Sequence, residues 1–294
     1  METTTISPSI SYIIDNFDDP YLITHVTSEQ NFHGDFHIHN GFYEFYLFID
    51  GIGFYYNDGI KYPLRPGDFI IIAPEKIHRA YISNSHTYER IVLHLSAKTL
   101  MELSSPVTNL LHDCQNCSNR FYHFEEEELK KQIHLTEPLI SLDEESQRHG
   151  IDLLQRSYLT ILLLETFESI KKFSPGVLLP VPPVIQNALD YINLHLSDDI
   201  SIQSIADALN ISRSYLCHQF RDYFNTSLWN YILSKRLVLA QSLLLRGKTV
   251  TDACYESGFR DYAHFIKTFS RTFGISPKKY SQNPQKNKTF LLPS

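Results

Sequence analysis

Two stretches near the C-terminus decide the fold: 201-SIQSIADALNISRSYLCHQFRDYFNTSLWNY-231 and 249-TVTDACYESGFRDYAHFIKTFSRTFGISPKKY-280. They are one pattern written twice. Leu216, Phe220, Phe224, Asn225, Ser227 and Tyr231 recur 49 residues later as Phe265, Phe269, Phe273, Gly274, Ser276 and Tyr280. Upstream the offset is 48, which pairs Ile205 and Ala206 with Ala253 and Cys254, and Asn210 with Gly258. Repetition at a fixed period means one structural unit built twice. The change of offset places one extra residue in the second turn.

Each unit predicts helix, tight turn, helix. In the first, Ser201 is placed to N-cap a helix carrying Ile202, Ile205, Ala206 and Leu209 on one face. Asn210 breaks it, because asparagine tolerates the left-handed conformation. Ser212 caps the next helix, whose apolar positions are Leu216, Phe220 and Phe224. In the second unit Thr249 or Thr251 starts the first helix, Gly258 makes the turn and Asp261 caps a helix with Phe265, Phe269 and Phe273. The small residues Ala206 and Cys254 let the paired helices cross closely. Between the units, Leu228–Arg246 reads as a central helix packed through Tyr231, Leu237, Ala240, Leu243 and Leu244.

The faces opposite these apolar stripes carry the chemistry. The first offers Arg213, Ser214, Cys217, His218 and Arg221, and the second Tyr262, Ala263, His264, Lys267 and Arg271. Hydrogen-bonding and cationic side chains suit base edges and phosphates, and an ordinary solvated helix face has the same composition. Charge bears on the choice. The chain holds 26 basic and 33 acidic residues. Residues 182–294 hold 13 basic and 8 acidic (+5), which leaves 13 and 25 (−12) for residues 1–181. Only the C-terminal third therefore suits a polyanion. Two heads on one face of a duplex need a spacing of about one turn, ~10–10.5 bp.

Residues from about 20 to 96 read as short strands with turns between: Phe42–Ile49, Gly53–Tyr56, Asp68–Ile72 and Arg90–Leu95, with Asn57-Asp58-Gly59 as a hairpin signal. This predicts a sandwich or small barrel. Helical periodicity follows over Glu144–Phe173, either packed on the barrel or exposed for dimerisation. Pro180-Val-Pro-Pro183 reads as linker. Cys114 and Cys117 form a lone Cys-x-x-Cys, read as a polar loop; without a second such pair it makes no convincing zinc site, although His112 and His123 are near in sequence. No apolar run reaches the ~18–20 residues a membrane span needs, and the N-terminus lacks the features of a signal peptide. A cytoplasmic protein without membrane contact is expected.

The residues Ile205-Ala, Ile211-Ser-Arg-Ser-Tyr-Leu, Phe220-Arg, Arg236-Leu-Val-Leu-Ala, Gly258-Phe, Phe265, Phe269, Gly274-Ile-Ser-Pro and Tyr280 together resemble the DNA-binding domain of the AraC/XylS family. The resemblance implies two helix-turn-helix units on a central helix reading successive major grooves of double-stranded DNA. Asn210 stands where that family commonly has glycine, and Cys254 where alanine is usual. By position, base reading falls to Ser214, Cys217 and His218, and to Tyr262, Ala263, His264 and Lys267. In the N-terminal half, Gly34-x-x-His37-x-His39-x4-Glu44-x6-Gly51 and Pro66-Gly67…Pro74-x3-His78 resemble the two cupin motifs. Sensor domains of AraC-like regulators are cupin-like, and their barrels take a small molecule, in several members a sugar. The resemblance then makes His37, His39, Glu44, Tyr46, Arg65 and His78 ligand-binding candidates, with Tyr43, Tyr55 and Tyr56 available to stack on a sugar face. In metal-dependent cupins His37, His39, Glu44 and His78 would be metal ligands, so a metal-dependent cupin enzyme with a helical appendix is the alternative reading.

The expected protein is α+β with two domains. A cupin-like β-barrel with flanking helices, for sensing and dimerisation, covers residues 1–173, with a linker over 174–183. An all-α DNA-binding domain of two helix-turn-helix units covers 184–283, and a tail covers 284–294. It is expected to be a transcription regulator and not an enzyme, without cofactor or metal. Its expected partners are DNA, a small effector, RNA polymerase and a second copy of the chain.

Overall fold

The computed structural model describes residues 10–14, 21–28, 34, 36–39, 41–83, 87–143, 149–172, 180–282 and 289–293. Most of the expected linker lies outside these residues.

The strands of the first half are β1 (Ile10–Ile14), β2 (Leu22–Ser28), β3 (Phe42–Asp50), β4 (Gly53–Asn57), β5 (Ile60–Leu64), β6 (Asp68–Ile72), β7 (His78–Ile82), β8 (Tyr88–Ser96) and β9 (Phe121–His123). Four helices accompany them: α1 (Ala97–Leu103), α2 (Leu110–Cys117), α3 (Glu126–Asp143) and α4 (Ile151–Lys172). The second half holds α5 (Pro183–His195), α6 (Ile202–Ala208), α7 (Arg213–Phe224), α8 (Leu228–Leu245), α9 (Val250–Glu256), α10 (Tyr262–Phe273) and α11 (Pro277–Gln282). A last strand, β10 (Thr289–Pro293), pairs antiparallel with β1.

The barrel is two antiparallel sheets, in the orders β2-β8-β3-β6-β9 and β5-β4-β7. Asp58 and Gly59 both have positive φ, so the expected hairpin turn joins β4 to β5. Strand alternation sorts the residues of β3. Tyr43, Phe45 and Leu47 enter a core closed by Leu139 of α3 and by Leu159, Leu163 and Phe167 of α4. Tyr46 and Phe48 instead meet Tyr55, Tyr62 and Ile82 of the opposite sheet. Helix α4 therefore packs on the barrel, yet it also leaves Leu153, Ile161 and Leu164 exposed.

One expectation fails here. Residues 110–117 are helical, not a loop: the Asn109 side chain accepts from His112 N and caps α2. Cys114 is buried against the outer face of the barrel, and burial pushes its thiol up. His112 bonds the Asn116 side chain and His123 bonds Asp68, so neither joins the thiols.

The duplicated half folds as its pattern requires. Ser201 and Ser204 form a reciprocal capping box on α6. Ser212, Ser227, Thr249 and Asp261 each accept a backbone N–H at the start of α7, α8, α9 and α10. Asn210 takes positive φ (55°) in the first turn and Gly258 (91°) in the second. Helix α5, which the sequence reading did not mark, begins at Pro183, where the missing N–H is harmless. The central helix serves both cores. Leu228, Tyr231 and Ile232 pack with α5, α6 and α7, while Leu237, Ala240 and Leu244 pack with α9, α10 and Tyr280. Two buried polar residues of α8 tie the halves. Arg236 donates to Leu196 O (Nε, 3.0 Å) and Asp198 O (Nη2, 2.8 Å), and Gln241 donates to Tyr280 Oη (2.9 Å).

At Gly258 a Cβ would lie 2.4 Å from Leu196 O and 2.7 Å from Arg236 Nε. Gly258→Ala is expected to cost at least ~1–3 kcal/mol, from the left-handed backbone and the displaced guanidinium. Denaturant unfolding checks this; an unchanged midpoint would show that the turn relaxes freely.

Candidate functional site

The two second helices of the repeat set out one candidate surface. Leu216, Phe220 and Phe224 of α7 and Phe265, Phe269 and Phe273 of α10 are fully buried, which fixes the rotation of each helix. The opposite faces are then bound to be outside. Arg213, Ser214, His218 and Arg221 are exposed, as are Tyr262, Ala263, His264, Lys267 and Arg271. Cys217 is only half-exposed; the repeat aligns it with Ile266, which packs beside the second core. The same register aligns Tyr215 with His264, and Tyr215 is exposed on α7. The sequence pattern named Tyr262 in the second unit and left out Tyr215 in the first. His218 pairs with Asp222 at 2.9 Å, and each helix presents two permanent cations on this face, Arg213 and Arg221 on α7 and Lys267 and Arg271 on α10.

The second candidate lies inside the barrel. His37, His39, Glu44 and His78 offer ligand atoms that all lie within 4.8 Å of one another. The fold assembles them from three places: β3 brings Glu44, β7 brings His78, and a backbone bridge ties His37 to His78 in both directions. A fifth member, His94, is missed by motif spacing. It stands directly opposite Glu44 in the β3–β8 register. Alternation along the strand Arg90–Leu95 signals it, since Ile91, Leu93 and Leu95 turn to the helices and leave His94 inside.

Glu44 Oε2 is the centre. It lies 2.7 Å from His39 Nε2, 3.2 Å from His94 Nε2 and 3.3 Å from His78 Nε2. Glu44 Oε1 accepts from Tyr55 Oη at 2.9 Å. Burial opposes the charge on Glu44, but His78, His39 and His94 outweigh it and hold the carboxyl well below the usual carboxylate range. Burial, with the neighbouring His94, brings His39 down to about 4, so its ring is neutral at physiological pH. Further hydrogen bonds and ring contacts surround this centre. Tyr46 bonds Tyr88 (3.1 Å), Arg90 bonds Tyr88 (2.7 Å), and Tyr62 stacks on Phe121.

Not every expected ligand residue is brought together. His37, His39, Glu44, Tyr46 and His78 are. Arg65 is not: its side chain is exposed on the turn after β5, beside Asp68. Tyr43 turns outward to the helices, and Tyr56 faces the second half of the chain. Of the tyrosines read as stacking surfaces, only Tyr46 and Tyr55 face the interior.

A barrel with a buried polar centre, joined to paired helix-turn-helix units, defines a ligand-binding, DNA-binding transcription regulator. Comparison with known proteins agrees. The model of the AraC-like ligand binding domain matches residues 20–170, and that of a helix-turn-helix domain matches residues 205–283. The chain belongs to the AraC family. It is 26% identical over 240 residues to the lactose operon transcription activator of Staphylococcus xylosus, covering 80% of this chain and 82% of that one. It is 21% identical over 245 residues to the transcriptional activator RhaS of an Enterobacter strain, covering 83% and 86%. Over 99 residues it is 35% identical to an uncharacterised HTH-type regulator of Pseudoalteromonas carrageenovora, covering 34% of this chain and 59% of that relative. Among the described residues no helix is long and apolar enough to cross a membrane.

The Tyr55 hydroxyl is a buried donor to a buried carboxylate. Tyr55→Phe should cost ~1–3 kcal/mol, because Glu44 loses a partner it cannot replace with water. Thermal or urea unfolding reads this, and wild-type stability in the variant would show the bond to be dispensable.

Proposed function

We propose that this chain regulates transcription by reading two adjacent stretches of one DNA duplex with α7 and α10, under control of a small molecule taken by its barrel. One observation carries the reading of DNA: two helices, each rotated by three buried apolar residues, expose polar and cationic faces and hang from one central helix. On this reading Ser214, His218, Tyr262, Ala263, His264 and Lys267 approach base edges, with Cys217 at the margin. Arg213, Arg221 and Arg271 approach phosphates. Tyr215 joins the first group by its register with His264.

The effector is placed at His37, His39, Glu44, Tyr46 and His78, where half-buried His37 is the approach from outside; Arg65 is left out. A saccharide is the favoured class, supported by the likeness to a regulator named for a lactose operon across four-fifths of this chain. The protein acts in the cytoplasm, as a homodimer and with RNA polymerase. Exposed Leu153, Ile161 and Leu164 on α4 supply an apolar stripe for the dimer contact. No catalytic role is assigned.

Fluorescence anisotropy on operator DNA across a salt series tests the assignment. Arg221→Ala should reduce the salt slope by about 1 and weaken all sequences alike. Lys267→Ala should relax one base position by ~1–3 kcal/mol. An unchanged salt slope removes Arg221 from the phosphate set, and unaltered base preference removes Lys267 from the reading set. For the effector, a sugar present at 100 times its Kd should add ~2.7 kcal/mol to stability in a thermal-shift series. No shift with any sugar would overturn the saccharide assignment.

A further inference from the structure

The last carbonyls of an α-helix have no partner within it and need donors from outside. In α7 the Asn225 N–H closes on Arg221 O, which leaves Tyr223 O and Phe224 O at the open end. Barrel residues meet both. Tyr56 Oη of β4 donates to Tyr223 O at 2.9 Å, and the Arg79 guanidinium of β7 donates to Phe224 O. A cation at a helix C-terminus also opposes the partial negative charge there. Asn225, the left-handed C-cap, donates from Nδ2 to Tyr56 Oη at 2.9 Å, and the Lys61 N–H of β5 donates to Tyr223 Oη at 3.1 Å. The end of the first reading helix is thus capped by another domain.

The apolar core behind that end is shared in the same way. Side chains alternate along Phe36-His37-Ile38-His39 and along Ile77-His78-Arg79. Phe36, Ile38 and Ile77 leave the barrel interior and join Tyr56 in a core with Leu189, Phe224 and Tyr231 of the DNA-binding half. The Phe36 ring lies 5.1 Å from that of Tyr231 and 5.9 Å from that of Phe224, and the Tyr56 ring lies 5.5 Å from Phe224. The β4–β5 turn approaches α5 so closely that a Cβ on Gly59 would lie 2.7 Å from Leu189 Cδ1. The second unit is built differently. The described members of its core all come from residues 233–280, and Gly274 closes α10 with a φ of 71°. Strand β1 does approach it, through β10, which runs beside α10, but neither strand belongs to the two barrel sheets. Barrel residue Glu75 lies 3.9 Å from Arg246 at the far end of α8, an exposed pair of little strength.

We propose that the barrel is a working part of the first reading head and not of the second: Tyr56 and Arg79 cap α7 and, with Phe36, Ile38 and Ile77, hold it at the angle at which it reads. Helix α10 keeps its own core and reads without the barrel. The docked arrangement leaves Arg213, Ser214, His218 and Arg221 exposed, so docking supports reading and does not block it. Any change that loosens the barrel from α7 then erodes recognition at one stretch of the operator and spares the other. The part in recognition rests on the assignment of α7 and α10 to DNA made above; the capping does not.

The test uses the full-length chain and the double variant Tyr56→Phe with Arg79→Met, which keeps the ring and the apolar stem and removes both donors. Hydrogen exchange reads the capping. Amides over residues 217–225 should exchange about tenfold faster than in wild type, and those over 262–273 at the wild-type rate. Selection from a random duplex library reads the recognition. Lys267→Ala marks the stretch read by α10. The double variant should keep its base preference there and lose about tenfold of preference over the other stretch. Wild-type exchange in α7 overturns the capping. Faster exchange in α7 with unaltered preference overturns the part in recognition, and equal loss over both stretches overturns the asymmetry. Wild type that selects no sequence overturns the reading of DNA by these helices, while faster exchange confined to α7 still upholds the capping. Should the double variant not fold, Tyr56→Phe alone carries the same readout, and wild-type exchange in α7 is again the result that overturns it.

Discussion

Two reading helices are useful together only if the distance between them is fixed, and α8 is what fixes it. Apolar packing alone would let the two halves slide, because Leu and Phe contacts are non-directional. Arg236 and Gln241 supply direction. A guanidinium this far inside is unfavourable unless its N–H groups find acceptors. Leu196 O and Asp198 O provide them from the loop after α5. Gln241 does the same for Tyr280 at the other end of the helix. Each half is therefore keyed to α8 at a polar point inside an apolar contact, and the absence of a side chain at Gly258 leaves room for one of those keys.

The barrel works by a different constraint, the two-residue period of a strand. On β3 this period sends Glu44 and Tyr46 one way and Tyr43 and Phe45 the other. On the His37 and His78 segments it separates imidazoles from the side chains that meet the second half. A chain with this alternation cannot change its polar centre without moving a surface on the opposite face.

Much of this was legible in the sequence. The repeat, the caps at Ser201, Ser212, Thr249 and Asp261, the left-handed turns at Asn210 and Gly258, and the gathering of His37, His39, Glu44 and His78 all follow from local pattern or motif spacing. The remainder was not, for identifiable reasons. His94 stands 50 residues from Glu44, and only strand pairing brings them face to face. The Cys114-x-x-Cys117 segment read as a polar loop, yet the Asn109 cap and buried Leu110 and Cys114 make a helix. Arg65 was expected among the ligand-binding residues, but it lies on an outer turn, exposed and beside Asp68. Phe36 and Ile38 look like ordinary core residues and Tyr56 like a stacking surface inside the barrel, and nothing local states that they enter the core shared with the second half.

The barrel meets the end of α7 through the carbonyls of Tyr223 and Phe224, the side chains of Tyr223 and Asn225 and the Phe224 ring. None of these groups is among the residues of the reading face. The reading face of α7 can therefore drift, and with it the preferred operator, without dismantling the grip of the sensor. One sensor architecture can in this way be inherited by descendants that recognise unrelated promoters.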